Sequence, residues 1–372
     1  MLDLSLQPHF GMGWLDASGP HADIVLSTRV RLARNLQGHA FGSRAREGER
    51  ERILGEVRSA AREIPPLRDA TLVEMDTLDR RARQVLHERH LISREMASES
   101  GPARPGRGLI LGAGEALGLM INEEDHLRLQ SLLSGLRLQD AYRIVDDLDE
   151  ALGGRLAFAY HPEFGFLTSC PTNVGTGLRA SILIHLPGLV LTKEIGKVLQ
   201  GINQVGLTFR GLYGEGSEVV GNFFQISNQT TLGKSEEDLI DHLQKIVARV
   251  IQYETEARTV LLRDAPTVIE DKIWRAYGLL RYARALSFDE VMNLLSGLRL
   301  GVSMKLLPGL SVYTLNKIMI YSQSAHLEQV AGRALSDEEG DLHRAAYVRR
   351  IFAAEGDVSA VEPDRNGGTT EA

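Results

Sequence analysis

The 372-residue sequence has a single cysteine, Cys170, so it can form no intramolecular disulfide, and it has no Cys/His cluster at zinc spacing. A reducing compartment suits such a chain. No apolar run approaches the ~20 residues that cross a bilayer. The N-terminal MLDLSLQPHFGMGWLD lacks the basic start and unbroken apolar stretch of a signal peptide. The expected location is therefore cytoplasmic, with no membrane partner. Excess positive charge is also missing: a formal net charge of -7 argues against a broad basic face for nucleic acid, so any phosphate-binding site must be local. There is no Walker A sequence and no HRD or DFG set. Gly175-Thr176-Gly177-Leu178-Arg179-Ala180 fits a dinucleotide fingerprint in letters, but it runs into the alternating SILIHL instead of a helix. What is present, 43% hydrophobic and 24% charged residues over this length, is enough for about two packed domains.

From residue 23 onward, alternating runs such as DIVLSTRVRL, GLILGAGEALGLMINEEDHLRLQ, LAFAYHPEFGFLTS, RASILIHLPGLVL and NFFQISNQTTLG read as strands. Gln139 to Leu152 has helical spacing and stops at Gly153-Gly154, and Thr192 is placed to cap KEIGKVLQGINQ. Strands that follow one another without intervening helices predict an α+β fold, an antiparallel sheet backed by helices. After Ser235, which can cap EEDLIDHLQKIVARVIQYETEAR, the pattern turns helical and predicts an all-α second domain. The expected division is a lead-in at 1–22, a catalytic domain at 23–255, a helical domain at 256–355 and a disordered tail at 356–372. The stretch 99–108, ESGPARPGRG, reads as a mobile loop.

Five arginines lie in strand-like contexts: Arg29, Arg31, Arg128, Arg179 and Arg210. Alternation puts Ser27, Arg29 and Arg31 on one face and Val30 and Leu32 on the other, and likewise groups Glu124, His126 and Arg128. A sheet face that collects guanidinium groups suits a polyphosphate, because arginine makes forked, permanently charged hydrogen bonds to phosphate oxygens. Each arginine alone would pass for a solvated surface residue. Two carboxylates complete the pattern, Glu124 in INEEDH and Glu215 among the glycines of RGLYGEGSE. A guanidinium is a poor nucleophile while protonated, so a group that aligns it and removes a proton has work to do there. By default Cys170 reads as a buried small apolar residue.

The blocks VLSTRVRLARNL at 25–36, HLIS at 90–93, INEEDHLRLQ at 121–130, CPTNVGTGLRAS at 170–181 and RGLYGEGSEVVGNFFQISNQTTLG at 210–233 resemble the phosphagen (ATP:guanido) kinase family and, within it, the bacterial protein-arginine kinases. The resemblance implies an antiparallel guanido-kinase core that binds ATP with Mg²⁺ through Arg29, Arg31, Arg128, Arg179 and Arg210, with His90 near the nucleotide. It implies further nucleotide contacts from the matching spans Ser27, Thr28 and Val30, Ala180 to Leu183 (Ala180, Ser181, Ile182, Leu183), and Gly211, Leu212, Tyr213 and Gly214. Glu124 and Glu215 fall on the family's catalytic carboxylates, and Cys170 on its active-site cysteine. Arginine side chains of proteins are the implied acceptors, with free arginine as the alternative substrate and a phosphoarginine-binding adaptor as the alternative of another class. Arg29 stands close to the start of the chain, where small-molecule phosphagen kinases carry a further helical domain, and this favours protein acceptors. A homodimer, stress-response repressors and Clp-type chaperones are the implied partners. The family's Arg-Asp-x-x-Arg-Ala phosphoarginine pocket corresponds to Gly340-Asp341-Leu342-His343-Arg344-Ala345, which predicts a weakened allosteric site built on Asp341 and Arg344.

Overall fold

The computed structural model describes residues 12–98, 104–212 and 219–355. Ten strands are present among them: β1 (Val25–Arg34), β2 (Thr71–Glu74), β3 (Gly108–Leu111), β4 (Leu117–Ile121), β5 (Leu127–Ser134), β6 (Tyr160–His161), β7 (Gly165–Phe166), β8 (Leu178–His185), β9 (Leu207–Arg210) and β10 (Phe223–Asn228). Eight form one sheet in the order β2-β3-β4-β5-β1-β8-β10-β9, antiparallel throughout, while β6 and β7 make a separate hairpin. The α+β expectation matches this architecture.

Alternation decides which way the sheet faces. Val30, Leu32, Ala180, Ile182, Leu127 and Leu129 point to one side, where helices Glu47–Glu63, Leu138–Gly153 and Glu236–Asp264 cover them in a single apolar core. That burial fixes the register, since a slip of one residue would drive arginines into the core. A second core joins helices Pro266–Tyr282, Phe288–Ser303 and Val312–Tyr321 to Trp14, Leu15, Leu132 and Phe223. The lead-in is thus part of the packed structure from residue 12 onward.

The helical region is also tied to the sheet by buried ions. Glu254 is fully buried; it accepts hydrogen bonds from the backbone N–H of Gly188 (2.9 Å) and Leu189 (3.0 Å) and pairs with Arg258 at 2.7 Å. Arg299 donates to Asn316 Oδ1 (2.6 Å) and to the carbonyl of Ala22 (2.5 Å), and burial holds its guanidinium down at about 9.

Several local expectations are corrected. Thr192 does not open the helix Ile195–Gln204; its hydroxyl donates to the carbonyls of Gly188 (2.9 Å) and Leu189 (3.4 Å) and closes the preceding turn. LPGLVL, taken as strand, contains the helix Pro187–Leu191 with proline in its first turn. Ser235 does cap its helix, accepting from Asp238 N at 3.1 Å. That helix runs from Glu236 to Asp264 and ends at Ala265, and the next begins at Pro266. Parts of the expected mobile loop (99–103) and the whole expected tail (356–372) lie outside the described residues.

Candidate active site

The face of the sheet away from the first core carries the charge. Arg31 on β1 stands directly opposite Arg179 on β8 and Gln130 on β5, Arg29 opposite Ser181 and Leu132, and Gln225 on β10 opposite Arg210 on β9. A cleft of about 760 Å³ opens over this face, and Arg29, Arg31, His90, Glu124, Arg128, Cys170, Arg179 and Arg210 all line it. The strands that bring these side chains together come from widely separated segments of sequence.

Like charges crowd here. Burial, with Arg179 and Arg128 as neighbours, pushes the Arg29 guanidinium down to about 10, and burial together with Arg29, Arg128 and Arg179 lowers Arg31 well below the ordinary arginine value. Arg29 Nη2 donates to Gln225 Oε1 at 3.4 Å. Arg128 differs, because it is charge-compensated: Nη1 lies 2.7 Å from Glu123 Oε2 and Nη2 lies 2.9 Å from Glu124 Oε2. Burial opposes its charge, but Glu123, Glu124 and Asp125 outweigh that and raise it. Glu123 is buried, which alone would raise its carboxyl, yet Arg128 and further hydrogen bonds hold it below the usual range. Glu124 goes the other way: burial raises it, helped by Asp125 and Glu123, against the pull of Arg128.

Glu124 sits on a turn and not on a strand, with Asn122 at φ 56. His126 lines the same cleft as Glu124 and Arg128 but is buried; its ring accepts from Leu36 N (3.0 Å) and lies 3.0 Å from the Ala40 carbonyl. Asp125, between them, is almost fully buried. Its Oδ1 accepts from Asn35 Nδ2 (2.7 Å) and from the N–H of Ser169 (2.6 Å), so it clamps the segment leading to Cys170 against the turn that carries Glu124. The Cys170 thiol lies 3.0 Å from Thr172 Oγ1 and is partly exposed to the cleft, so it is not the buried apolar residue of its default reading. His90, at φ 60, follows helix Arg80–Glu88; Gln130 Nε2 donates to its carbonyl (3.0 Å) and Trp14 meets its ring edge-on at 5.5 Å.

The remaining expected residues divide by strand face. Ser27, Ser181 and Leu183 share the arginine face. Thr28, Val30, Ala180 and Ile182 point into the opposite, helix-covered side, and Thr28 Oγ1 donates to the Gly135 carbonyl at 2.6 Å, so their side chains do not reach a ligand in the cleft. Leu212 is buried in the second core, beside Gly211. Tyr213, Gly214 and Glu215 lie outside the described residues. Arg344, expected in the allosteric site with Asp341, is buried, and its guanidinium donates to the carbonyls of Ser322 (2.8 Å) and Leu286 (2.9 Å) and to Asp341 Oδ1 (2.7 Å). It staples a helix to two loops, and Asp341 serves as its counter-ion.

Sequence reasoning missed Glu123, Asp125, Gln225 and Trp14. The first two stand in the INEEDH segment, but only the turn shows that Glu123 joins Glu124 on Arg128 while Asp125 turns to Asn35 and Ser169.

A basic cleft on an antiparallel sheet, with carboxylates and a thiol at one side, is the arrangement of a phosphoryl-transferring enzyme that handles a polyanion and a cationic acceptor. A family model described as ATP:guanido phosphotransferase, C-terminal catalytic domain, matches residues 53–257, and one described as protein-arginine kinase McsB C-terminal domain matches residues 266–363. The protein-arginine kinase of Moorella thermoacetica is 44% identical over 361 residues, covering 94% of this chain and 100% of that protein. That of Symbiobacterium thermophilum is 46% identical over 347 residues, covering 92% and 96%. Among solved structures, the duplicated taurocyamine kinase of Schistosoma mansoni with bound transition-state-analogue components aligns at TM-score 0.57 with 26% identity, over 68% of this chain and 37% of that one. The chain belongs to the ATP:guanido phosphotransferase family, in its protein-arginine kinase branch.

Proposed function

We propose that this cleft transfers the γ-phosphoryl group of ATP to the guanidinium of arginine side chains in proteins, with Arg29, Arg31, Arg128, Arg179 and Arg210 on the nucleotide and Glu124 and Cys170 at the acceptor. The carrying observation is the buried, mutually repelling arginine set beside a carboxylate of raised pKa. Forked guanidinium hydrogen bonds from these side chains match the oxygens of a polyphosphate, whose negative charge offsets the crowding of like charges in the cleft. The Glu124 carboxylate accepts a hydrogen bond from the acceptor guanidinium and receives its proton as the N–P bond forms and the Pγ–O bond to ADP breaks. Glu215, outside the described residues, is the second carboxylate of this reading. Mg²⁺ bound to ATP would add charge neutralisation on the phosphates.

The rest of the proposal rests on the resemblance: a cytoplasmic homodimer, its dimer contact in a C-terminal helical domain that follows the catalytic one, acting on stress-response repressors and other clients of Clp-type chaperones. No described helix is long and apolar enough to cross a membrane. The test is to supply ATP with either an unfolded protein or free arginine and to follow ADP release. Turnover that requires the protein acceptor is expected; turnover on free arginine alone would favour the small-molecule alternative, and binding of phosphoarginine without turnover on either would favour the adaptor.

A further inference from the structure

The charge on the arginine face thins out with distance from Glu124. Along β1, Ala33 stands opposite Arg128, which holds Glu123 and Glu124; next come Arg31, opposite Gln130 and Arg179, then Arg29, opposite Leu132 and Ser181. Last comes Ser27, opposite Leu183 and Ser134, with Arg210 to one side on β9. Four residues of strand separate the level of Arg128 from that of Arg29, about 13 Å. A triphosphate whose reacting end meets Glu124 lies along the arginines. Its nucleoside then falls at the far end, where Leu132 and Leu183 make the face apolar and the second core begins.

His90 stands between that core and the cleft. It lines the cleft, and Gln130 Nε2 holds its carbonyl at 3.0 Å beside the level of Arg31. Its φ of 60 is one that a residue with a side chain keeps only where the surroundings fix it. Trp14 is one of the groups that fix it. Fully buried in the second core with Leu26, Leu132 and Leu183, it meets the imidazole edge-on at 5.5 Å.

Trp14 belongs to a turn of three residues, Gly13–Leu15, and that turn is held from outside. Asn316 Nδ2, on the helix Val312–Tyr321, donates to the Leu15 carbonyl at 2.9 Å. Arg299, on the helix Phe288–Ser303, joins Asn316 Oδ1 (2.6 Å) to the Ala22 carbonyl (2.5 Å), and Ser303 Oγ donates to Asp23 Oδ2 at 2.7 Å. Asn316 and Arg299 are themselves buried, and buried polar groups satisfied in this way hold one geometry. The segment 15–23 is thus strapped to the helical region at both ends, with Trp14 at its head against His90.

We propose that Trp14 is a positioning residue for the nucleoside end of ATP: strapped to the helical region, it sets the His90 ring against the base and ribose. The helical region, and not the sheet alone, then decides how tightly the cleft holds a nucleotide. The proposal rests on the reading that the phosphates of ATP lie on the arginines with the reacting end at Glu124.

The test separates the two ends of the ligand with two probes on the full chain, ATP and inorganic tripolyphosphate, which has the phosphates and no nucleoside. Dissociation constants are read by calorimetry for wild type, Trp14→Leu, Trp14→Phe and Asn316→Ala. Trp14→Leu keeps an apolar filler and removes the ring; its Kd for ATP should rise about 10-fold, the scale of one base–ring contact, while that for tripolyphosphate stays within about two-fold. Trp14→Phe restores a ring and should bring ATP binding back to within about three-fold of wild type. Asn316→Ala leaves Trp14 in place and loosens its strap, so the same selective loss is expected at about five-fold, the scale of one hydrogen bond. It decides the matter if Trp14→Leu does not fold. Equal weakening of both probes would make Trp14 a structural residue of the core, and unchanged ATP binding would remove it from the site; either result overturns the proposal. Failure of the underlying reading shows separately, as tripolyphosphate that does not compete with ATP on wild type, and the proposal falls with it.

Discussion

Arg29→Met is expected to make the empty protein more stable while removing its use of ATP. Arg29 sits on β1 among Arg31, Arg128 and Arg179, and its guanidinium is held at about 10 by burial and by Arg179 and Arg128. At 1.36 kcal/mol per pKa unit, keeping it charged in the folded state costs about 3 kcal/mol. The sign follows from the lowered value: the cost is present in full at every pH below about 10, and falls away only as the pH rises through 10 towards the ordinary arginine value, so no neutral buffer relieves it. Methionine keeps the length of the stem, removes the charge, and forfeits the 3.4 Å contact with Gln225, worth about 1 kcal/mol. A net gain of about 2 kcal/mol should raise the melting temperature by roughly 4–8 °C. ATP should raise the melting temperature of wild type and leave that of the variant nearly unchanged. The assay is thermal unfolding with and without ATP. A variant that melts lower than wild type would refute the reasoning, since Arg29 would then be an ordinary structural ion.

Three further expectations follow from the same geometry. Asp125→Ala removes the acceptor of the Ser169 N–H, so the Cys170 segment loosens from the Glu124 turn; kcat should fall by about 10-fold or more with the KM for ATP kept within about two-fold, as read by steady-state kinetics. Glu88→Gln weakens the buried carboxylate that accepts from Ala325 N, His326 N and His326 Nδ1; because the same helix carries His87 and leads into His90, ATP titration of Trp14 fluorescence should report weaker binding, and an unchanged affinity would contradict the link. Cys170, the sole thiol, should be protected from alkylation by ATP together with a peptide acceptor, and Cys170→Ser should be impaired less than Glu124→Gln; full labelling without loss of turnover would remove it from the site.

The arginine face was legible because β1 has one side buried under the helix Leu138–Gly153, so period-two alternation sorts Arg29 and Arg31 from Val30 and Leu32 without further information. The same rule, applied to whole matching spans, would have separated Thr28, Val30, Ala180 and Ile182 from their neighbours; sequence adjacency grouped what the pleat divides. Glu123 was hidden because its role depends on a turn in which Asn122 takes a positive φ, and no periodicity marks that turn. LPGLVL is not a strand because a short apolar run has no period of its own, and Pro187 begins a helix there. The surroundings of Arg344 are not legible in its motif, which shows the residue type and not the two loop carbonyls, distant in sequence, that accept from its guanidinium.

In the reaction proposed above, the carboxylate of Glu124 drives phosphoryl transfer to protein arginine in the arginine-lined cleft. The most direct test incubates wild type and Glu124→Gln with ATP and an unfolded protein, then maps phosphosites under non-acidic conditions that preserve the N–P bond. The account predicts phosphoarginine from wild type, a yield rate at least about 10²-fold lower from Glu124→Gln, and matching melting curves for the two proteins. Phosphate on hydroxyl side chains instead of arginine, or equal phosphoarginine from the two proteins, would contradict it.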